Sequence, residues 1–433
     1  MDPATLSKFA APAVVSLVAF LSYSPQHLFG KIEPGPLHQK EALVFNALVA
    51  CIWVSYLRAC TTDPGRVPAD WKPDEDKAVG TDPTSPAGKN LARQRYCRKC
   101  TAFKPPRAHH CRVCKRCIPK MDHHCPWTVN CVSHFTFPHF VRFLFYAVSA
   151  MSYLQYFLYL RADVIWQNRR LPSYLGPTLP QLVHLFVLIV VNSLTLFLVS
   201  ITFLRTVWGL GGNVTTIESW EIERHEQLLR RARVLGGYLD GPDGIRVRLV
   251  RQEFPYDIGI WNNIVQGMGT ANIFAWFWPF SATPATSGVA FETNGFEDPG
   301  TSWPPPDPDR MPRIDRSAEL KSAFVHAQAG LSREEEVAAF RQRQHGDFAR
   351  RPEHYGVERR KPFHERFADG SHVPIKNDYT NHHDSSGEEG WQDSGGNRLK
   401  DYGVDESVEF YDEDNLPIAE LLRRKADGRY GTH

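Results

Sequence analysis

Residues 97–131 read CRKCTAFKPPRAHHCRVCKRCIPKMDHHCPWTVNC, and this stretch decides the architecture. It holds seven of the nine cysteines: Cys97, Cys100, Cys111, Cys114, Cys117, Cys125 and Cys131. His109, His110, His123 and His124 lie among them. Two cysteines separated by two residues form a knuckle whose thiolates converge on one tetrahedral zinc ion. Such gaps occur at 97/100, 111/114 and 114/117, more than one ion can use. Two closed sites need eight donors, and six cysteines with His110 and His124 supply them, leaving one thiol over. Thiols interleaved with histidines in this way suit a reducing compartment, not a disulfide framework.

The leftover thiol is the central question. If all seven cysteines ligated zinc with one histidine, the count would again reach eight and no thiol would be free. The neighbours of Cys125 favour leaving that one unmetallated. His123 suits a general base, and Asp122 suits a carboxylate that fixes its tautomer and orientation. A nearby imidazolium and basic surroundings lower a thiol's pKa.

Working outward, four apolar runs frame the cluster. No Asp, Glu, Lys or Arg occurs between Lys8 and Lys31, between Glu41 and Arg58, between Arg142 and Arg161, or between Arg170 and Arg205. Each run supplies a spanning helix of roughly 17–25 residues, the second with snorkelling flanks. Buried helices of a soluble core are the competing reading, against which four charge-bracketed runs weigh. The first run is read as a retained helix, since only Lys8 charges its n-region and no small-x-small site closes it. Arg93, Arg95, Arg98, Lys99, Arg112, Lys115 and Arg116 crowd the 61–136 loop, which places it in the cytosol. With four spans, both termini share that side. The formal net charge is +2, so no global attraction to nucleic acid follows.

Asp122-His123-His124-Cys125-Pro126-Trp127, in a cysteine-rich loop between the second and third of four spans, resembles the DHHC protein S-palmitoyltransferases. Further marks of that family follow in order: Asp63-Pro64-Gly65 after the second span, Thr215-Thr216-Ile217-Glu218 after the fourth, then Asn263 and Gly269. The resemblance covers residues 1–282. Ser-His-Phe-Thr-Phe-Pro after Cys131 is similar to the fungal endoplasmic-reticulum branch. There Ser133 replaces the family's usual Gly and Thr136 its usual Asn, which puts the local turn in doubt but not the nucleophile.

The resemblance implies an α-helical integral membrane protein with four transmembrane helices and a cytosolic two-zinc domain, and the polar, Pro- and Gly-rich composition beyond it points to a disordered C-terminal tail. The division expected is residues 1–60 for the first two spans, 61–136 for the loop with its zinc domain from about 95, and 137–206 for the other two spans. A membrane-associated segment at 207–282 and a mostly disordered 283–433 complete it, with a short helix near Ile418–Lys425. One structural zinc is implied on Cys97, Cys100, His110 and Cys117, and a second on Cys111, Cys114, His124 and Cys131. The implied reaction takes a palmitoyl group from palmitoyl-CoA onto Cys125, with His123 as base and Asp122 orienting it, and passes it to cysteine thiols of other proteins. Phe140, Phe143, Ala147 and Ala150 recur at helical spacing and are expected on the acyl cavity, with Trp127 either covering the thioester or anchoring at the membrane interface. Lys104, Arg107 and His109 are expected on the coenzyme's phosphates, or on anionic lipid headgroups. Thr215, Thr216 and Glu218 are expected to orient the zinc loop, and Asn263 to cap backbone groups or bridge to the third span. The expected partners are long-chain acyl-CoA, membrane lipids and cysteine-bearing proteins including a chitin synthase, on which the branch acts. The expected location is the endoplasmic-reticulum membrane. A zinc-binding scaffold without activity is the alternative, whereas a ring-type ubiquitin ligase would need a paired C-x2-C after the histidine, which is lacking here.

Overall fold

The structure is a computed structural model that describes residues 3–72, 95–172, 175–240, 246–296, 303–305, 307–310 and 392–405. Four long helices dominate it: α1 (Pro3–Phe29), α2 (Gln39–Thr61), α3 (Phe137–Gln167) and α4 (Leu179–Gly211). Each is long and apolar enough to cross a membrane. Their starts are written in the sequence. Pro138 and Pro180 occupy first-turn positions of α3 and α4, where the missing N–H is no loss. Glu41 accepts from the His38 N–H at 2.9 Å, and Gln181 from the Thr178 N–H at 2.8 Å.

Helix α3 packs between α2 and α4, and α1 leans on α4. The shared core includes Leu28, Phe29, Phe45, Val49, Leu154, Leu158 and Leu188. Phe186, Leu194, Phe197 and Leu204 of α4 face outward, as lipid contact requires. Arg161, read from the sequence as a bracket ending the third run, instead lies buried within α3. It donates to the Phe157 and Gly35 carbonyls at 3.0 and 2.7 Å and stacks over Phe29.

Between α2 and α3 lie three antiparallel hairpins: β1 (Tyr96–Cys97) with β2 (Ala102–Phe103), β3 (His109–Cys111) with β4 (Arg116–Ile118), and β5 (His123–Cys125) with β6 (Asn130–Val132). In the last pair His124 faces Cys131 and Cys125 faces Asn130. Two-stranded ribbons this short are not stable alone.

Beyond α4 the charged stretch forms α5 (Thr216–Val234), then a hairpin of β7 (Tyr238–Asp240) and β8 (Arg246–Arg248). Two short helices follow, α6 (Ile260–Met268) and α7 (Ile273–Phe277). Arg142 of α3 holds α7 by donating to the Trp276 and Ala275 carbonyls at 2.9 and 3.0 Å. Phe274, Trp278 and Phe280 stay exposed, as an interfacial aromatic segment would. Two pieces of the range expected to lack structure are folded onto α5. Arg224 binds Asp307 and Asp309, and Leu399 and Val404 are buried beside Ile217 and Trp220. Acidic and apolar residues scattered through a polar tail gave no periodic signal for this. The helix expected near 418–425 lies outside the described residues.

Candidate active site and zinc centres

The hairpins bring eight donors into two groups. Cys97, Cys100, His110 and Cys117 form one, and Cys111, Cys114, His124 and Cys131 the other, all ligand atoms of a group lying within 4.8 Å of one another. His110 Nδ1 stands 3.3 Å from the sulfurs of Cys97 and Cys100 and 3.8 Å from that of Cys117. His124 Nδ1 stands 3.7, 3.6 and 3.5 Å from Cys111, Cys114 and Cys131. These spacings fit the edges of tetrahedra in which a zinc ion would sit about 2.3 Å from sulfur and about 2.0 Å from nitrogen. Three thiolates and one imidazole close each zinc site, so the metal is structural. His109, His134 and His139 are in neither group.

Cys125 also stands outside both. Its strand neighbour His123 donates Nδ1–H to Asp122 Oδ2 at 2.6 Å, which leaves Nε2 for the thiol. Asp122 is itself fixed: the Thr216 N–H donates to its Oδ1 at 2.9 Å, and the Thr216 hydroxyl to its carbonyl. Burial disfavours the imidazolium, yet the Asp122 carboxylate and the Cys125 sulfur outweigh it and hold the His123 pKa up at about 10. Burial likewise resists the Cys125 thiolate, but the His123 hydrogen bond and charge, with help from Thr128, bring that thiol below its ordinary value. Thr128 had no signal in the sequence beyond its nearness to Cys125.

Glu218 acts from the start of α5. Thr215 caps that helix: its hydroxyl accepts from Glu218 N–H at 3.2 Å, while its own N–H donates to Glu218 Oε2 at 2.9 Å. The same carboxylate receives Arg107 Nε and Nη2 at 2.6 and 2.8 Å. Helix cap and loop anchor are therefore one device. Asn213 adds its carbonyl and Oδ1 to Arg107, and Lys120 donates to that Oδ1 at 2.8 Å.

Lys104, Arg107 and His109, expected on the coenzyme's phosphates, all lie inside the folded zinc domain. Arg107 is 4% exposed and its guanidinium is spent on Glu218 and Asn213, with Tyr256 and Phe291 stacked on it. Lys104 and His109 are buried too. Of the two roles expected for Asn263, it takes the capping one: it accepts from Ile258 N–H at 3.0 Å, and its amide donates to the Gly211 carbonyl at the end of the fourth span. The departures at 133 and 136 rebuild the turn with hydroxyls. Thr136 Oγ1 accepts from Ser133 N–H at 2.9 Å and donates to the Cys131 carbonyl at 2.6 Å, and Ser133 Oγ donates to Pro64 at 2.8 Å.

Below Cys125 opens an apolar cavity of about 510 Å³ walled by all four long helices. Trp127, Phe140, Phe143, Ala147 and Ala150 line it, together with Cys125 and His123 at its mouth. Leu17, Leu21 and Ser22 of α1 close the far side. Trp127 is 56% exposed at the rim, its carbonyl held by the Tyr56 hydroxyl at 2.8 Å.

Known proteins agree with this reading. Residues 90–223 match the DHHC palmitoyltransferase family. Palmitoyltransferase pfa4 of Emericella nidulans is 53% identical over 98% of this chain and 97% of its own. That of Aspergillus fumigatus is also 53% identical, over 97% and 98%. Palmitoyltransferase PFA4 of Saccharomyces cerevisiae is 33% identical over 64% of this chain and 74% of its own. The chain belongs to the DHHC palmitoyltransferase family and is a multi-pass membrane protein S-palmitoyltransferase with two structural zinc sites.

Proposed function

We propose that Cys125 is the nucleophile and palmitoyl-CoA the donor. The observation that carries this is the one thiol of the cysteine-rich loop left outside two complete four-donor groups, at the mouth of an apolar cavity that suits a long acyl chain. The Cys125 thiolate attacks the thioester carbonyl, coenzyme A leaves as its thiol after taking a proton from His123, and a palmitoyl-enzyme remains. A substrate cysteine, deprotonated by His123, then attacks this second thioester and Cys125 leaves. Both steps exchange one thioester for another, so no nucleotide is consumed. Asp122 keeps the imidazole turned toward the sulfur throughout. In water each methylene of the chain would cost about 0.8 kcal/mol relative to burial, which is the reason for a walled cavity.

The division into spans at 1–60 and 137–206, zinc loop, 207–282 segment and tail belongs to the same proposal, as do cytosolic termini and an endoplasmic-reticulum location. Membrane lipids and cysteine-bearing proteins, a chitin synthase among them, are the proposed partners. Incubating the purified protein in micelles with radiolabelled palmitoyl-CoA tests the core of it. A hydroxylamine-labile label on Cys125, chased off by a cysteine peptide, is expected. A label on any other residue, or none, overturns the assignment.

A further inference from the structure

Residues 392–405 come from far along the chain and end against the two zinc groups. The Gly403 carbonyl accepts from Arg112 N–H at 3.1 Å, Val404 bridges antiparallel to Cys111, and Asp405 N–H donates to the His110 carbonyl at 2.9 Å. Asp405 also pairs with Lys99, next to Cys100. Val404 is fully buried among Cys111, Ile118, Met121, Cys131, Ile217, Trp220 and Leu399. Gly403 has φ +83°, and a Cβ there would stand 2.5 Å from the Cβ of His124. That approach admits glycine alone.

We propose that residues 399–405 are a clamp that locks the two zinc sites together and holds β5, so that the chain's distal segment positions Cys125. The physical need is plain: three ribbons of two or three residues have almost no core of their own. His124 is gripped on one side by Cys131 through the β5–β6 ladder. On the other side the clamp supplies the contact, through Gly403. It also covers the edge of β3 that would otherwise be unpaired. Gly403, Val404 and Asp405 are thus positioning residues for the reaction, acting through metal ligands.

The test uses the full chain in micelles and reads zinc release to a chromogenic chelator. Neighbours that orient a ligand change metal affinity roughly 10–100-fold. Gly403→Val is expected to release zinc at least about tenfold faster than the parent, with acyl-enzyme formation falling in parallel. Release of both ions at the parent's rate overturns the clamp. Where that variant fails to accumulate, the ion pair decides: Lys99→Glu and Asp405→Lys each speed release, and the double exchange restores it. Failure of the exchange to restore also overturns the proposal. Only the acylation readout rests on Cys125 being the nucleophile; zinc release reports on the clamp by itself.

Discussion

Replacing Ala150 by phenylalanine tests where the acyl chain lies. Ala150 is buried and lines the cavity, whose wall on α3 runs from Phe140 to Leu154. At about 1.5 Å per residue that wall is roughly 21 Å long. An extended chain advances about 1.2 Å per bond, so sixteen carbons cover about 18 Å and fit. Ala150 stands about 15 Å along the wall. A phenyl ring there stops the chain near twelve carbons and turns about four methylenes out. At about 0.8 kcal/mol each this is roughly 3 kcal/mol, or about 200-fold in rate. The figure is an upper bound, since an expelled tail re-enters lipid. The assay is acyl-enzyme formation with coenzyme A thioesters of graded length. The optimum is expected to move from sixteen carbons to about twelve, with the shorter donor still used well. An unchanged preference for sixteen carbons would refute an acyl chain lying along α3.

Three further outcomes follow from the site. Cys125→Ser is expected to keep both zinc ions by metal analysis while losing the hydroxylamine-labile label; loss of an ion would make Cys125 a ligand instead. Asp122→Asn is expected to slow acyl-enzyme formation by about 10²–10⁴-fold with zinc content unchanged, because the imidazole loses the carboxylate that fixes its tautomer and stabilises its imidazolium; burst kinetics at the parent's rate would rule that role out. Glu218→Ala strands the buried Arg107 guanidinium, which costs about 3–5 kcal/mol, so its denaturant midpoint should fall sharply, and Arg107→Met in the same chain should restore part of it.

Most of this was legible because the deciding residues are types with narrow uses. A run of uncharged residues bracketed by Lys and Arg admits few readings besides a span, and each run falls on a long helix, although α3 extends past both of its brackets, Arg142 and Arg161. Donor number points to two zinc sites, but which eight donors fill them, and the interleaving of Cys117 with His110, is visible only by resemblance. What stayed hidden involves partners far apart in sequence. Arg107 looked like an anion binder because nothing in residues 104–109 reveals that Glu218 and Asn213 will close on it. The segment at 392–405 looked unstructured because its two buried side chains, Leu399 and Val404, are too few to make a pattern. A local reading assigns each charge to solvent by default; only the fold shows which ones are spent inside.

The height of Cys125 above the bilayer is set where β6 meets α2. Asn130, opposite Cys125 in the ladder, donates its amide to the carbonyls of Ala59 and Thr62 at 3.0 and 2.8 Å. These are carbonyls at the end of α2, which no further turn satisfies. The zinc domain is therefore pinned to the end of α2 through the residue facing Cys125. Asn130→Ala removes those bonds at about 1 kcal/mol each and frees β5 to rise from the cavity mouth. A thiol raised by about 1.2 Å needs one more carbon to reach the same depth. The variant should thus favour longer donors than the parent, where a merely damaged enzyme would slow equally on all of them. Equal slowing at every chain length would show that α2 does not gauge the site.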